Sequence, residues 1–440
     1  MKTLFLFLFI FSAMFIPYKN ISASPGDTVW VDTFNNEFHN WANVHYKKFL
    51  FPDTNQHFSK ILMFYKIGCP SAGCDPWDRL GWIKINIDSI TNYEIARLVT
   101  PYNIVGGGYP GTCTFSYDVS DYRSLLHDSV RLASYIESWI GGSRGWLVTV
   151  RFAFIEGEPA LIPYKIVNLW QKGYIVYGDP ANPPETYLQP KSVYIDTQAI
   201  KIKERIICTG HGQGNTDNAA EFSMKTHSIV VRNDTVSHTL WRADCATNSC
   251  SPQGGTWQYN RAGWCPGAGV IPWDNDITSY VISGQNNTFG YLIQQYENFC
   301  RPNNPNCISG VTCTDCNYNY TGHTEPNYNL ESHLIFYRDN PNVGIQIINK
   351  EIPNSFSLKQ NYPNPFNPYT FIEFSLKEKA NTKISVYDVN GKNVSVLYNN
   401  VTSPGTYKIK FEREGLASGI YYCRMETDKY TNTIKMILLK

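Results

Sequence analysis

Leu147-Val-Thr-Val-Arg-Phe-Ala-Phe154 places Val148, Val150, Phe152 and Phe154 on one face of an extended chain, with Thr149 and Arg151 on the other. A period of two is the signature of a strand with one buried face. The same alternation runs through Lys60-Ile-Leu-Met-Phe-Tyr-Lys66, Gly81-Trp-Ile-Lys-Ile-Asn-Ile87 and Val130-Arg-Leu-Ala-Ser-Tyr-Ile136, with turn residues between them. Several short strands separated by turns predict a sandwich of antiparallel sheets. A second set, about 166–338, includes 202–208, 227–231, 291–296 and 333–337. Long Asn-, Gly- and Cys-rich loops interrupt it, and such loops on a rigid β scaffold are where sites concentrate. Convincing helices are scarce, so the fold class is all-β.

Composition sets the remaining bounds. The 440 residues correspond to about three domains at roughly 150 residues each. Lys and Arg number 38 against 37 Asp and Glu, a formal charge of +1, which leaves no field to hold nucleic acid or an anionic membrane. With 42% hydrophobic, 15% aromatic and only 17% charged residues, the chain is neither disordered nor a coiled coil.

Residues 1–24 read as a secretory signal peptide: Met1-Lys2-Thr3, an apolar run from Leu4 to Ile16, then Ser22-Ala23-Ser24. That run is shorter than the ~20 residues that span a bilayer. The 12 Cys are therefore expected in an oxidising compartment, with Cys69/Cys74 and Cys300/Cys307 as disulfides and Cys313-x-x-Cys316 as a structural bridge. Cys423, in an alternating run, reads as a buried free thiol, which requires a second unpaired Cys. The pairing of Cys113, Cys208 and Cys250 is not deducible from one chain.

Beyond a junction at about 346–356, the tail 357–440 carries Asn361-Tyr-Pro-Asn-Pro-Phe-Asn-Pro368, Ile384-Ser-Val-Tyr-Asp-Val-Asn-Gly391, Leu416-Ala-Ser-Gly-Ile-Tyr-Tyr422 and Met436-Ile-Leu-Leu-Lys440. Proline-fixed entry and an Asn-Gly turn suit a small immunoglobulin-like β-sandwich. These motifs, in this order, resemble the C-terminal sorting domain of the type IX secretion system. The resemblance implies that secretion machinery as a partner, export to the surface or medium, and in many members removal of the tail.

The unusual local chemistry begins at Cys69-Pro-Ser-Ala-Gly-Cys74-Asp75-Pro-Trp77-Asp78-Arg79. A short Cys-closed loop would pin Trp77, Asp78 and Arg79 at the start of the next strand, as a catalytic carboxylate requires; the plain alternative is a surface ion pair. Glu137 in Ile136-Glu-Ser-Trp139, and Glu221 after Thr209-Gly-His211-Gly-Gln-Gly214, stand among residues a strand would bury. A buried carboxylate must be bonded, paired or protonated. Arg261-Ala-Gly-Trp264-Cys265-Pro-Gly267 adds a cation and an aromatic face, or a compact turn.

Together these segments resemble the peptide:N-glycosidase F family of amidases, over about 45–340. The resemblance rests on Cys69 through Arg79, Arg97-Leu-Val-Thr-Pro101-Tyr102, Glu137-Ser-Trp139, Ala220-Glu221, Thr226-His227 and Arg261 through Gly267. It implies two adjacent eight-stranded antiparallel jelly-roll sandwiches, 25–165 and 166–345, with the site in the cleft between them. By the same resemblance Asp78 is the catalytic aspartate and Glu137 and Glu221 are its supporting glutamates. Arg79 and Arg261 contact substrate, Trp77, Trp139 and Trp264 lie in or near the cleft, and His211 stands where the family has a cleft Trp. Cys69–Cys74 and Cys245–Cys265 are the implied disulfides.

In the family a bridged Cys pair flanks the glutamate matching Glu221; here those positions are Ala219 and Ser223. The implied activity is hydrolysis of the amide joining asparagine to N-acetylglucosamine in N-glycosylated proteins, by a monomer without metal or cofactor. Two other classes stay open: a glycan-binding or adhesive protein that has lost catalysis, and a glycosidase, which also uses paired carboxylates. A copper site would have to use His211 and His227, and scattered imidazoles favour hydrogen-bonded core residues instead.

Overall fold

A computed structural model describes residues 27–102, 111–157, 159, 161–301, 304–306, 325–340, 345–349, 351–412 and 416–439. The signal segment 1–24 and Cys307, Cys313 and Cys316 lie outside these.

The alternating stretches form strands as expected. Leu80–Asn86 alternates half-buried and buried positions without a break, because each inward side chain meets the facing sheet. In the first sandwich, one sheet has the order Thr28–Asp32, Trp146–Glu156, Phe58–Gly68, Thr112–Asp118, with Glu37–His39 also on Trp146–Glu156. The other runs Asn92–Val99, Leu80–Asn86, Ser129–Ile136, His45–Leu50. Ile61 and Phe152 from one sheet meet Ile83 and Leu132 from the other in one core, each with no exposed surface.

The second sandwich repeats the design. Leu161–Val176, Asn327–Asp339, Lys201–His211 and Trp273–Asp276 form one sheet; Lys191–Ile195, Gln285–Ile293, Lys225–Val231 and Asp234–Leu240 form the other. With Glu37–His39 and the two-residue strand Ala268–Gly269 set aside, both sandwiches share one winding. Their strands run first, eighth, third, sixth in one sheet and second, seventh, fourth, fifth in the other.

The seam between the sandwiches is polar. Asn92–Val99 is buried along nearly its whole length, since one face lines the first core and the other meets the second sandwich. Arg97 donates Nε and Nη2 to Glu94 at 2.6 and 3.0 Å and Nη1 to the Asn329 carbonyl at 2.7 Å and Thr209 Oγ1 at 3.3 Å. Lys84 pairs with Glu331 and lies 3.6 Å from Glu94. Each buried charge thereby has its opposite, as burial demands.

The segment around 245–270 is bolted across this seam. Ala268–Gly269 pairs with Leu98 and Val99 as an extra edge strand, and Cys250 is bridged to Cys113 of the first sandwich. Cys245 is bridged to Cys265 and Cys69 to Cys74. Cys300 is disulfide-bonded. The unpaired partner that a free Cys423 requires is Cys208; both are buried thiols.

The tail packs two four-stranded sheets around Ile372, Ile384, Ile409 and Met425. Its edge strand Ile345–Asn349 starts at the end of the range read as the second sandwich and runs into the segment read as a linker. Gly391 takes φ +78° in the expected Asn-Gly turn, a backbone that glycine adopts without strain.

Breaking the seam's ion pair should be costly. Arg97→Met leaves Glu94 buried beside Lys84 alone, and urea unfolding should show a loss of about 3 kcal/mol, the lower end for a broken buried pair.

Candidate active site

The Cys69–Cys74 bridge closes its loop tightly enough for Gly73 N to reach the Pro70 carbonyl at 2.9 Å. Asp75 follows and is fully buried. Its Oδ1 accepts Trp77 N at 3.1 Å, while Oδ2 accepts Arg79 Nε at 2.9 Å and Ser138 Oγ at 2.7 Å. Thr100, one residue past its strand, accepts Arg79 N at 2.8 Å and donates to the Trp77 carbonyl at 3.1 Å. Asp78 is thus held from both flanks at the mouth of Leu80–Asn86. Glu137 comes to the same mouth because its N–H bonds the Leu80 carbonyl at 2.9 Å.

Glu221 arrives from the second sandwich. Its carbonyl accepts Ala262 N at 2.8 Å, its Oε1 accepts Arg261 Nε at 3.0 Å and its Oε2 accepts Gly212 N at 3.2 Å. Gly210 beneath it has to be glycine: a Cβ there would sit 2.3 Å from the Ala220 carbonyl oxygen. Arg261 is 2% exposed and donates Nη1 to the Thr256 and Tyr259 carbonyls and Nη2 to Thr256 Oγ1. Its guanidinium lies 4.8 Å from the Phe222 ring centre and 4.9 Å from that of Trp264.

Asp78 sits in the field of Glu221, Arg261 and Arg79, which brings the chemistry of both sandwiches together. Burial first, and the Glu221 charge second, push its pKa up to about 7, against the pull of Arg261 and Arg79. Burial also raises Glu221, opposed by Arg261. Glu137 is exposed rather than buried, because it lies one residue beyond the end of its strand. Enough protein crowds its carboxyl to raise its pKa nonetheless, with Arg79 opposing. Asp78 also raises the pKa of Tyr102, after burial, and Tyr102 packs edge-on against Trp77 at 5.9 Å.

The expected aromatic residues divide. Trp77 and Trp139 are about half exposed, and Trp139 packs edge-on against Trp41, also half exposed, at 5.4 Å. Trp264 is buried, with its indole N–H on the Gly210 carbonyl at 2.6 Å, so it supports Arg261 and His211 from below and offers no open face. His211 stacks on Trp264 at 5.2 Å and bonds Thr209 Oγ1 at 2.9 Å; burial holds its pKa down to about 3. His227 is buried against the Tyr291 hydroxyl at 2.9 Å. Among the described residues no cluster of three or more His, Cys, Asp or Glu is placed to hold a metal ion.

Asp75, Thr100, Ser138 and Trp41 were not legible as site residues. Asp75, Thr100 and Ser138 lie inside the motifs quoted above, but nothing local gives them a role of their own or separates Asp75 from a surface carboxylate. A cavity of about 470 Å³ opens between the sheets of the second sandwich, near Cys208, His227 and Trp273, and contains none of Asp78, Glu137 and Glu221.

An amidase from Elizabethkingia miricola, peptide-N(4)-(N-acetyl-beta-D-glucosaminyl)asparagine amidase F, is 30% identical over 263 residues, 57% of this chain and 72% of the relative. The chain belongs to the peptide-N-glycosidase F family. Residues 184–311 match the model of peptide-N-glycosidase F, C terminal, and 360–439 that of the secretion system C-terminal sorting domain. The solved structure of PNGase F, a glycosylasparaginase from Flavobacterium meningosepticum, superposes with a TM-score of 0.58 at 25% identity, covering 71% of this chain and 96% of that one. PNGF-II, at 14% identity and a TM-score of 0.51 over 70% of this chain and 65% of that one, shares the fold.

The raised proton affinity of Asp78 has a sign in stability. Its folded pKa of about 7 exceeds the ordinary aspartate value of 3.8, so folding favours the protonated carboxyl and stability falls as pH rises through that window. Asp78→Asn removes this loss. Its melting temperature should exceed that of the parent at pH 8, and the gap should close near pH 4.

Proposed function

We propose that the protein is a secreted amidase that hydrolyses the bond between an asparagine side chain and N-acetylglucosamine, releasing the intact N-linked glycan and leaving aspartate. The observation that carries the reading is Asp78: a carboxylate that burial and the Glu221 charge push up to about 7, in the field of Arg261 from the second sandwich and Arg79 from the first. A base is most effective when its pKa lies near the working pH.

Ionised Asp78 takes a proton from water as the water oxygen bonds the amide carbonyl carbon. The electron pair moves to the carbonyl oxygen, and the oxyanion faces the Arg79 guanidinium. Asp78 then returns the proton to the amide nitrogen, the C–N bond breaks, and a glycosylamine departs that later loses ammonia to water. Arg261, sealed by Glu221, Thr256 and Tyr259, acts by charge and by fixing Glu221, which orients the water. Glu137 grips a sugar hydroxyl, and the exposed faces of Trp77 and Trp139 lie against sugar rings. In this reading residues 1–24 direct the chain across the inner membrane, and the tail hands it to the type IX machinery for release or surface display.

Mass spectrometry of a glycopeptide treated in ¹⁸O water tests the bond. Isotope in the new aspartate side chain is expected; isotope fixed at the anomeric carbon makes the protein a glycosidase, and glycan bound but uncleaved makes it a lectin. Asp78→Asn should lose ~10³-fold or more in kcat, within the range for a removed general base. The rate should rise with pH through about 7. Glu221→Gln, which removes a negative neighbour, should move that rise to lower pH as well as slowing the reaction.

A further inference from the structure

We propose that Asp75 is a positioning residue for the amide hydrolysis inferred above: one buried carboxylate that fixes the Arg79 guanidinium and the strand end bearing Glu137 in a common frame around Asp78. The inference rests on that reading of the site and adds a residue to it.

A carboxylate with no exposed surface is costly unless every lone pair finds a donor. Asp75 finds three, and all belong to the site: the Trp77 amide, Arg79 Nε and Ser138 Oγ. Trp77 is the residue before Asp78, Arg79 the residue after it, and Ser138 lies between Glu137 and Trp139, 63 positions along the chain. One Oδ2 atom therefore joins two distant segments that carry the chemistry. Asp75 is itself anchored: beside it, Arg144 Nη2 bonds the Cys74 carbonyl at 2.9 Å and Gly145 N bonds the Gly73 carbonyl at 3.2 Å.

The bond to Arg79 does more than fill a buried acceptor. Arg79 commits only Nε to Asp75; its Nη groups have no hydrogen-bond partner among the described residues, and the side chain is 23% exposed. Because the guanidinium is planar, holding Nε sets the direction of the open fork. The same guanidinium charge reaches both Asp78 and Glu137. The Asp75 charge offsets that cation, so losing it would strengthen the positive field on Asp78, whose other charged and titratable neighbours are Glu221, Arg261 and Tyr102.

The test compares Asp75→Asn, Ser138→Ala, Arg79→Met and the Asp75→Asn/Arg79→Met double variant with the full-length protein on one glycopeptide. Asp75→Asn should lower kcat by ~30–100-fold with KM changed less, the scale of a misplaced catalytic group. Its pH–rate rise should move to lower pH, because the offset to Arg79 is gone. In the double variant the loss should fall short of the product of the two single losses, the non-additivity of residues acting through one another, and should exceed that of Arg79→Met alone by what the Ser138 and Trp77 bonds contribute. Ser138→Ala should lose ~3–10-fold, in line with one hydrogen bond. Additive losses, an unmoved pH rise and activity that merely follows melting temperature would overturn the proposal.

Nitrogen-15 spectra of the arginine Nε–H groups decide the point without turnover. The Arg79 Nε proton should exchange slowly in the parent and fast in Asp75→Asn; fast exchange in the parent overturns the proposal. A parent that cleaves no glycopeptide overturns the amidase reading instead, and the exchange result still stands for Asp75.

Discussion

The buried Arg97 guanidinium is the constraint on which the site depends. Neither sandwich holds a complete set of groups: Asp78, Arg79 and Glu137 sit on the first, Glu221 and Arg261 on the second. Arg97 pairs with Glu94 on its own strand and gives its remaining donor to Asn329 and Thr209 across the seam. Thr209 in turn holds His211, two residues from its own strand position and one from Gly212, whose N–H caps Glu221. The angle at which the sandwiches meet is thereby set by directional bonds. Apolar packing alone would let two such faces slide, since it is non-directional.

The electrostatics follow from the same geometry. Asp78 feels the charge of Glu221, and it shares the Arg79 guanidinium with Glu137; like charges in a partly dry space would drive protonation. Two arginines hold the balance in different ways. Arg261 is enclosed and cannot turn, so its charge is a fixed part of the scaffold around Glu221. Arg79 is tied at one nitrogen only and keeps an open edge. The result is one acid, Asp78, whose pKa is raised to about 7 rather than driven far above it, which leaves a substantial ionised fraction at neutral pH.

Much of this is legible in the sequence. Strands with one wet face announce themselves by alternation, and Leu147 to Phe154 is such a case. Asn92–Val99 did not, because both of its faces are buried and one is lined by Glu94 and Arg97, so the apolar period is erased. Ala268–Gly269 was invisible for a different reason: a two-residue strand has no period, and its partner lies far earlier in the chain. Asp78 and Arg79 stood out because a short Cys loop precedes them. Trp264 and Glu137 were read with the wrong exposure, since burial at a strand end or a turn is decided by what packs there from elsewhere. Trp264 is covered by its own neighbours Arg261 and His211, while Glu137 lies just past the last ladder pair of Ile136 with Gly81.

The missing Cys pair around Glu221 was the strongest sequence argument for a cleft that had lost its chemistry. That argument assumes that only a covalent clamp can aim the carboxylate. Ala219, at one of the two clamp positions, and its neighbour Ala220 are fully buried, while Ser223 at the other is half-buried, so the turn is packed on its Ala side. Phe222 N closes it on the Asn218 carbonyl at 2.9 Å, and Ala262 N holds the Glu221 carbonyl. The carboxylate itself is gripped at both oxygens, by Arg261 and by Gly212. A disulfide acts mainly on the unfolded chain by shortening its loops, whereas aiming a side chain in the folded state is the task of directional hydrogen bonds. Glu221 has those bonds, and the absent bridge therefore bears on how firmly the region folds more than on where this carboxylate points.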